Sequence, residues 1–349
     1  MAIEWAVGLA SRSEEIGCDS ATLFYENAGQ NNGKLPADGW FVPAAAWAKA
    51  TPPQDPTPPQ EAAQLDAAQL SQMEQAQSIP FETFFDQQDI LLAPTQFSAT
   101  APLKMAASEH RFRGATMPGF NADMIPALKL DYSEIGARVE RLASLLDDAQ
   151  EARLVFNVKH KSAQHLTLDL RFRQAHRSGG VFPQAGMVGN LPSGEAYVVP
   201  YEGERSAEPS RSEGKLPVQF GNEVVIYEIL RNQAVEVISQ GTESTLESQK
   251  LAAEPAYGNM AELGLGVLAD FGLEPLGEIL IDEKLGLHIA FGRSDHFGGR
   301  VGVEDFKDPE NVVHIDRVYL PQVQPQIDVL AVDLVAGDRL QVGSTELTV

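Results

Sequence analysis

The sequence predicts an α/β N-terminal domain over residues 1–150 and a β-rich, α+β C-terminal domain over residues 151–349. In the first part, short apolar runs alternate with segments of helical period, which is typical of strands joined by helices. Beyond about residue 150, most segments alternate polar and apolar residues and are separated by Gly or Asn, which is typical of antiparallel sheet.

The N-terminal domain contains four segments with interpretable patterns. The prolines of TPPQDPTPPQ (51–60) exclude regular structure and predict an exposed connection that leads into a helix. DILLAP (89–94) is a short apolar run ended by proline and predicts a buried strand. LKMAASEHRFRG (103–114) has helical spacing and a glycine stop, and MPGF (117–120) predicts a turn. We expect a small parallel sheet here.

The segment DYSEIGARVERLASLLDDA (131–149) predicts an amphipathic helix. A single apolar stripe, at the spacing of a helix, is formed by Ile135, Val139, Leu142, Leu145 and Leu146. The β-rich segments that follow are 153–160, 164–172, 195–202, 216–230, 234–241 and 327–349.

Composition and charge exclude several classes of partner. The 349 residues include 26 basic and 49 acidic ones, a formal charge of −23, so a phosphate backbone or an anionic membrane surface would be repelled. The single cysteine, Cys18, excludes an intrachain disulfide and a thiolate metal cluster. Because no secretory signal or membrane-spanning run is recognisable, we expect a cytoplasmic protein that binds no nucleic acid and no membrane.

The stretch NVVHIDRVY (311–319) reads as a buried strand that nevertheless carries two titratable groups. The period of two places His314 and Asp316 on one face, opposite Ile315. In one interpretation, His314 bonds a backbone carbonyl and Asp316 pairs with a nearby arginine. In the other, both side chains are ligands of a divalent cation, for which imidazole and carboxylate are suitable donors.

Further candidates lie in three apolar, Gly-punctuated stretches. Glu195 follows the turn of GNLPSGEAYVVP, and Glu262 lies inside AYGNMAELGLG, where an unpaired carboxylate would be costly. ILIDEKLGLHIAFG supplies Glu283 and His288. Each residue alone is more simply a solvated or locally paired group, but three of the seven histidines fall between residues 288 and 314. That clustering favours a metal site.

Taken together and in this order, NLPSGE, AELGLG, DEKLGLHIAFG and HID resemble the metal-dependent aminopeptidases of the aminopeptidase T type, the thermophilic leucyl aminopeptidases. The resemblance covers mainly residues 153–349 and extends weakly back to about residue 85. It implies two divalent ions (Zn, Co, Mn or Mg), held by Glu195, Glu262, Glu283, His288, His314 and Asp316.

The resemblance also implies a function: a cytoplasmic metalloaminopeptidase, a hydrolase that removes N-terminal residues from peptides with a metal-activated water, and a homodimer. Glu195 or Glu262 would transfer the proton. The family has a tyrosine seven residues after the HIA histidine. Here Asp295 stands at that spacing, followed by His296, which could assist catalysis in its protonated form.

Two alternatives remain open. Ring-opening Fe(II) dioxygenases of dihydroxypyridines resemble distant relatives of this fold and use one iron held by two histidines and one carboxylate. In that pattern a histidine replaces the glutamate of AELGLG, so Glu262, together with His288, favours the two-ion hydrolase. The second alternative is a non-catalytic relative with the same fold, suggested by the altered tyrosine position.

Overall fold

A computed structural model describes residues 15–26, 34–47, 75–159, 162–337 and 339–342, together with Arg12, Gly29 and Ser71. Its strands are β1 (Ala21–Phe24), β2 (Asp38–Pro43), β3 (Gln77–Pro80), β4 (Ile90–Ala93), β5 (Arg113–Thr116), β6 (Glu151–Val158), β7 (Gln164–Asp169), β8 (His176–Ser178), β9 (Val188–Asn190), β10 (Glu195–Val198), β11 (Glu213–Phe220), β12 (Glu223–Leu230), β13 (Gln233–Val237), β14 (Met260–Gly266), β15 (Leu287–Gly292), β16 (His314–Val318), β17 (Ile327–Ala336) and β18 (Arg339–Val342). Its α-helices are α1 (Ala44–Trp47), α2 (Phe81–Asp86), α3 (Thr100–His110), α4 (Ile125–Leu128), α5 (Tyr132–Asp148), α6 (Thr242–Ala253) and α7 (Ile279–Asp282).

The chain forms two compact units, the first from residues 1–122 and 182–191, the second from residues 123–181 and 192–349. Sequence analysis divides the chain at residue 150, whereas α5 belongs with the second unit and β9 with the first. The predicted Pro-rich connection and residues 343–349 of the last β-rich segment lie outside the described residues. The chain is of the α+β class with a β-rich C-terminal part, as predicted at that level.

The first unit contains an antiparallel sheet, β1-β2-β3, and a parallel sheet, β4-β5-β9. DILLAP forms the predicted strand, β4, but only one of its faces is buried, because Ile90 and Leu92 are exposed. The helix predicted over 103–114 is instead α3, and it ends at His110 because Arg111 adopts a left-handed backbone, with φ 65°. Gly114 therefore lies inside β5 rather than stopping a helix, since the parallel pairing with β4 begins at Arg113.

The second unit contains an antiparallel seven-stranded sheet, β13-β12-β11-β7-β6-β17-β18, and an antiparallel five-stranded sheet, β16-β15-β14-β10-β8. The predicted β-rich segment 216–230 is a hairpin, because β11 and β12 pair across Gly221 and Asn222. Helix α5 begins where the Asp131 carboxylate accepts hydrogen bonds from the backbone of Ser133 and Glu134. Its predicted stripe is buried at Ile135, Val139 and Leu146.

The five-stranded sheet, called the site sheet below, positions the candidate residues. Glu195 begins β10, Glu262 lies in β14, His288 lies in β15, and His314 and Asp316 lie in β16. Four adjacent antiparallel strands thus carry five of the six predicted metal ligands.

Candidate metal centre

The register of the site sheet places these five side chains on one face. Glu262 pairs with Ala290, and Ala290 pairs with Asp316, so the three residues form one row across the sheet. Residues opposite each other in an antiparallel pair share a face, and residues two apart along a strand share it as well. His288 and His314 therefore lie on the same face as Glu262, as does Glu195, which pairs with Gly266. The predicted pairing of His314 and Asp316 on one face is confirmed.

Two glycines of AELGLG make room for the site. A Cβ atom at Gly264 would lie 1.9 Å from Nε2 of His288, so the imidazole occupies the space above this glycine. A Cβ atom at Gly266 would lie 2.1 Å from the carbonyl carbon of Lys284. Any larger residue at either position would displace the groups that build the centre.

Glu262 lies at the middle of the cluster, and its two carboxylate oxygens face two different imidazoles. Its Oε1 is 3.2 Å from Nε2 of His288, and its Oε2 is 3.3 Å from Nε2 of His314. Asp316 Oδ1 lies 3.7 Å from the same nitrogen of His314. Glu262 is 5 % exposed and His288 is completely buried.

The other ring nitrogen of each histidine contacts a backbone carbonyl. Nδ1 of His314 lies 2.7 Å from the carbonyl oxygen of Arg293, and Nδ1 of His288 lies 3.3 Å from that of Gly286. A carbonyl oxygen only accepts, so each Nδ1 donates and each Nε2 is turned toward the carboxylates. This is the arrangement in which proteins present histidine to a metal, because the second hydrogen bond fixes the ring and its tautomer.

Lys284 is the residue that sequence analysis missed at the centre of the cluster. Its side chain is 1 % exposed, and its Nζ donates to Oε1 of Glu195 at 2.6 Å and to Oε1 of Glu283. Two of the six predicted metal ligands are therefore engaged by an ammonium group. Burial raises the pKa of Glu283 to about 8 against the attraction of Lys284, and the negative charges of Glu195 and Asp316 raise it further.

The pKa values of the histidines show how the negative charge of the cluster is offset when no metal ion is bound. Burial alone would lower the pKa of His288, but the hydrogen bond to Glu262 and the charge of Glu195 raise it to about 9. The pKa of His314 is raised in the same way, against its burial, by Asp316 and Glu262. The pKa of Glu262 is lowered despite burial because both imidazoles donate to it. Protons on the imidazoles thus supply positive charge that a metal ion would replace.

Within the described residues, two groups of donors converge closely enough to hold a cation. One consists of Glu195, Glu262 and His288, and the other of Glu262, His314 and Asp316; in each, the donor atoms lie within 4.8 Å of one another. Glu283 belongs to neither group. The two groups share Glu262 but differ in access, because the side chains of His314 and Asp316 are 18 % and 13 % exposed whereas all three members of the first group are buried.

Asp295 and His296 lie in the loop beside His314. Asp295 pairs with Arg293 through Nε at 2.5 Å, so its carboxylate is engaged. The ring centroids of His296 and His314 are 5.1 Å apart. Burial and the positive charges of His314 and Arg293 lower the pKa of His296 to about 4. His296 is therefore neutral near pH 7, unlike the protonated group considered from sequence, and its buried Nδ1 has no hydrogen-bond partner.

An aromatic wall adjoins this loop. The ring of Phe297 lies 5.4 Å from that of His314, 5.0 Å from that of Tyr197 and 5.9 Å from that of His176, which stacks on Tyr197 at 4.7 Å. A cavity of about 560 Å³ adjoins this wall. It is lined by Phe172, Arg173, Gln174, His176, Val199, Phe297 and Gly298.

His176 is half-buried, and its Nε2 donates to the carbonyl oxygen of Phe297 at 2.8 Å, whereas His165 is exposed. Tyr197 was also missed. Burial, together with the charges of Glu262 and Glu195, raises its pKa, so the phenol remains protonated. A register argument could have found it, because Tyr197 lies two residues after Glu195 on the same strand.

Glu202 holds the loop that carries His296. Its carboxylate accepts hydrogen bonds from Nδ2 of Asn259 at 2.7 Å and from Oγ of Ser294 at 2.6 Å, and it also accepts one from the backbone of Arg300. Three donors from separate parts of the chain therefore meet at one buried acid, which fixes the loop against the site sheet.

Comparison with known proteins gives a structural likeness but no sequence match. No family model and no curated protein matches the sequence. Among solved structures, the fold is similar to that of 2,5-dihydroxypyridine dioxygenase from Pseudomonas putida KT2440, with a TM-score of 0.53 and 15% sequence identity over 75% of this chain and 72% of that chain. At this level of identity the likeness establishes the fold.

The prediction of a metalloaminopeptidase is corrected by this comparison. The solved structure reported above, which has a similar fold, is a dioxygenase, which is an oxidoreductase and not a hydrolase. The ammonium of Lys284 also occupies the carboxylates that a hydrolytic pair of metal ions would use. None of the described helices is long and apolar enough to cross a membrane.

Proposed function

We propose that this chain is a mononuclear non-haem iron dioxygenase that opens a small dihydroxylated aromatic ring, with the ferrous ion held by Glu262, His314 and Asp316. The observation that carries this proposal is the convergence of these three donors on the accessible side of the cluster, beside an aromatic wall. The fold likeness to an enzyme that acts on 2,5-dihydroxypyridine supports the same class.

The donor set suits a borderline divalent cation. One imidazole and two carboxylates bind Fe²⁺ or Mn²⁺ well, and three donors leave coordination positions open for other ligands. Glu262 stands where the two-histidine pattern would have a histidine, and His288 forms no three-donor group with His314 in the described residues. We therefore assign two carboxylates and one histidine, which offset the charge of a divalent ion.

The wall beside the metal ligands suits a planar substrate. Phe297 contacts the ring of His314 and also lines the cavity, so an aromatic ring bound in the cavity could pack on Phe297 beside a metal ligand. Aromatic pairs of this kind stabilise a complex by about 1 kcal/mol beyond the free energy that comes from burying their surface area. Arg173 lines the same cavity, where its guanidinium is held by Glu202 and Glu204 and adds positive charge to the lining.

Two residues can form hydrogen bonds with the hydroxyl groups of a dihydroxylated ring. Neutral His296 presents a buried Nδ1 without a partner, which a substrate hydroxyl would satisfy. Tyr197 remains protonated and can donate a hydrogen bond beside the carboxylates. When bound, the ferrous ion supplies the redox chemistry with dioxygen that the protein side chains themselves lack.

The experiment is oxygen uptake by Fe²⁺-loaded protein with a panel of dihydroxypyridines and dihydroxybenzenes. We expect one O₂ consumed per ring opened, with loss of the ring absorbance, and we expect Asp316→Asn to abolish uptake. Glu228→Gln, an exposed strand position in the same unit, is the matched control and should leave the rate unchanged. Stoichiometric iron binding without oxygen uptake on any member of the panel would contradict the proposal.

A further inference from the structure

We propose that Lys284 is a cation supplied by the protein, which takes the place of a second metal ion and limits the centre to one. This inference rests on the proposed function only for the metal ion at Glu262, His314 and Asp316. It concerns the other half of the cluster, where Lys284 meets Glu195 and Glu283.

The position of Lys284 is unusual for a lysine, because lysine side chains are almost never fully buried without partners. Residues Glu283–Leu285 form a 3₁₀ turn whose backbone packs directly on Gly266. This contact points the Lys284 side chain into the cluster, where its Nζ lies 2.6 Å from Oε1 of Glu195 and also contacts Glu283. An ammonium group fixed between two carboxylates stands where a small cation would stand.

The surrounding donors are those of a complete cation site. Glu195, Glu262 and His288 present donor atoms within 4.8 Å of one another. The second carboxylate oxygen of Glu195, Oε2, is buried without a hydrogen-bond partner and lies 3.4 Å from Nε2 of His288. Glu262 turns one oxygen toward His288 and the other toward His314, as a carboxylate that joins two cations would do. The cluster therefore has donors for two cations, and the protein provides one of them.

Charge balance, like the donor geometry, favours a single metal ion beside Lys284. The cluster holds four carboxylates, those of Glu195, Glu262, Glu283 and Asp316. Lys284 and one divalent ion carry three positive charges, which match the carboxylates of Glu195, Glu262 and Asp316, and two divalent ions without Lys284 would carry four. Two divalent ions together with the ammonium would place an excess of positive charge in a buried site, which is strongly unfavourable.

The test counts Mn²⁺ ions bound to four proteins after equilibrium dialysis and removal of excess metal. Lys284→Met removes the ammonium but keeps an unbranched side chain. The double variant Lys284→Met/Glu195→Gln also removes one donor of the site formed by Glu195, Glu262 and His288. Lys250→Met is the matched control, because Lys250 forms an ion pair of equal length, 2.6 Å, with Glu247 outside the cluster.

We expect one ion per chain in the parent protein, two in Lys284→Met, and one each in the double variant and the control. Two Mn²⁺ ions that share Glu262 are also expected to give a spin-coupled electron paramagnetic resonance spectrum in Lys284→Met alone. If Lys284→Met is unfolded without metal, we expect Mn²⁺ to restore its thermal unfolding transition with two ions bound.

One ion per chain in folded Lys284→Met would overturn the inference, as would two ions in the parent protein or failure of Mn²⁺ to restore an unfolded variant. Absence of any bound ion from the parent protein would contradict the proposed function, and the inference with it. One ion in the parent, two in the variant and no oxygen uptake would sustain the role of Lys284 while contradicting the dioxygenase. The two proposals are therefore separable.

Discussion

The cluster has two halves with similar donors and different environments. The metal half consists of Glu262, His314 and Asp316, and the lysine half consists of Glu195, Glu283, Lys284 and His288. The metal half is partly exposed beside an aromatic wall, with the His314 side chain 18 % exposed, whereas Lys284 and His288 are 1 % and 0 % exposed. The lysine half contains an ammonium group, whereas the metal half has only the imidazole of His314 to supply positive charge.

The difference shows that donor type alone does not identify a metal site. Carboxylates and an imidazole converge in both halves, yet in one of them the ammonium of Lys284 already compensates two of the acids. A buried ion pair of this kind is costly to break, because removal of one partner leaves an uncompensated charge. Accessibility and charge balance therefore distinguish a site for a metal ion from one filled by the protein.

Replacement of the shared residue should have the largest effect. Glu262→Gln keeps the shape but removes the charge that faces both imidazoles, so we expect Mn²⁺ affinity to fall by more than about 100-fold. Isothermal titration calorimetry measures this loss. Glu228→Gln is the control, and a loss below about 3-fold in Glu262→Gln would show that this residue is no ligand.

Crowding the space beneath His288 should come next. In Gly264→Ala the new Cβ would lie 1.9 Å from Nε2 of His288, so we expect the free energy of unfolding to fall by about 3 kcal/mol. Urea denaturation measures it. At Gly136 a Cβ would meet nothing within 4 Å, and in Gly136→Ala we expect stabilisation of up to about 1 kcal/mol, because alanine favours helix. Equal stabilities of the two variants would argue against the packing of His288 on Gly264.

Removal of the metal should steepen the pH dependence of the free energy of unfolding. Folding raises the pKa of His288 from 6.5 to about 9, so this stabilisation is complete below about pH 6.5 and is lost as the pH rises through about 9. We expect the metal-free protein to lose on the order of 2 kcal/mol across that range. Thermal unfolding at fixed ionic strength checks it. With Mn²⁺ bound, the divalent charge at Glu262 opposes the proton on His288, so the slope should be shallower. A slope that is the same with and without metal would contradict the sharing of Glu262 between His288 and the metal ion.

A change at the loop anchor should have the smallest effect. Glu202→Gln retains an acceptor for Asn259 and Ser294 but loses charge, so we expect about 1 kcal/mol of destabilisation. Because the loop carries His296, we also expect a raised KM for a dihydroxylated ring with little change in Mn²⁺ affinity. A loss of Mn²⁺ affinity as large as the rise in KM would show instead that Glu202 supports the metal half directly.

The sequence predicted the part of the site that depends on strand geometry. His314 and Asp316 share a face because strand side chains alternate. The apolar, Gly-punctuated context of Glu262 and His288 also indicated buried groups correctly. These properties are local, so a single sequence contains them.

Properties that depend on contacts between distant residues could not be predicted. Lys284 follows two acids in DEK, where a lysine is ordinarily solvated, and only the packing of its turn on Gly266 buries it. The helix predicted over 103–114 was too long because the pairing of β5 with β4 competes with helical propensity after Arg111. The aromatic wall joins Tyr197 and Phe297 from segments 100 residues apart, and no local pattern connects them.

The most direct measurement is anomalous diffraction from crystals grown with Mn²⁺ and recorded at a wavelength where manganese scatters anomalously. We predict one peak per chain, within bonding distance of Glu262, His314 and Asp316, with the Lys284 ammonium still paired to Glu195. A second peak between Glu195 and His288, or a single peak there and none at Asp316, would contradict the assignment of the metal to the accessible half.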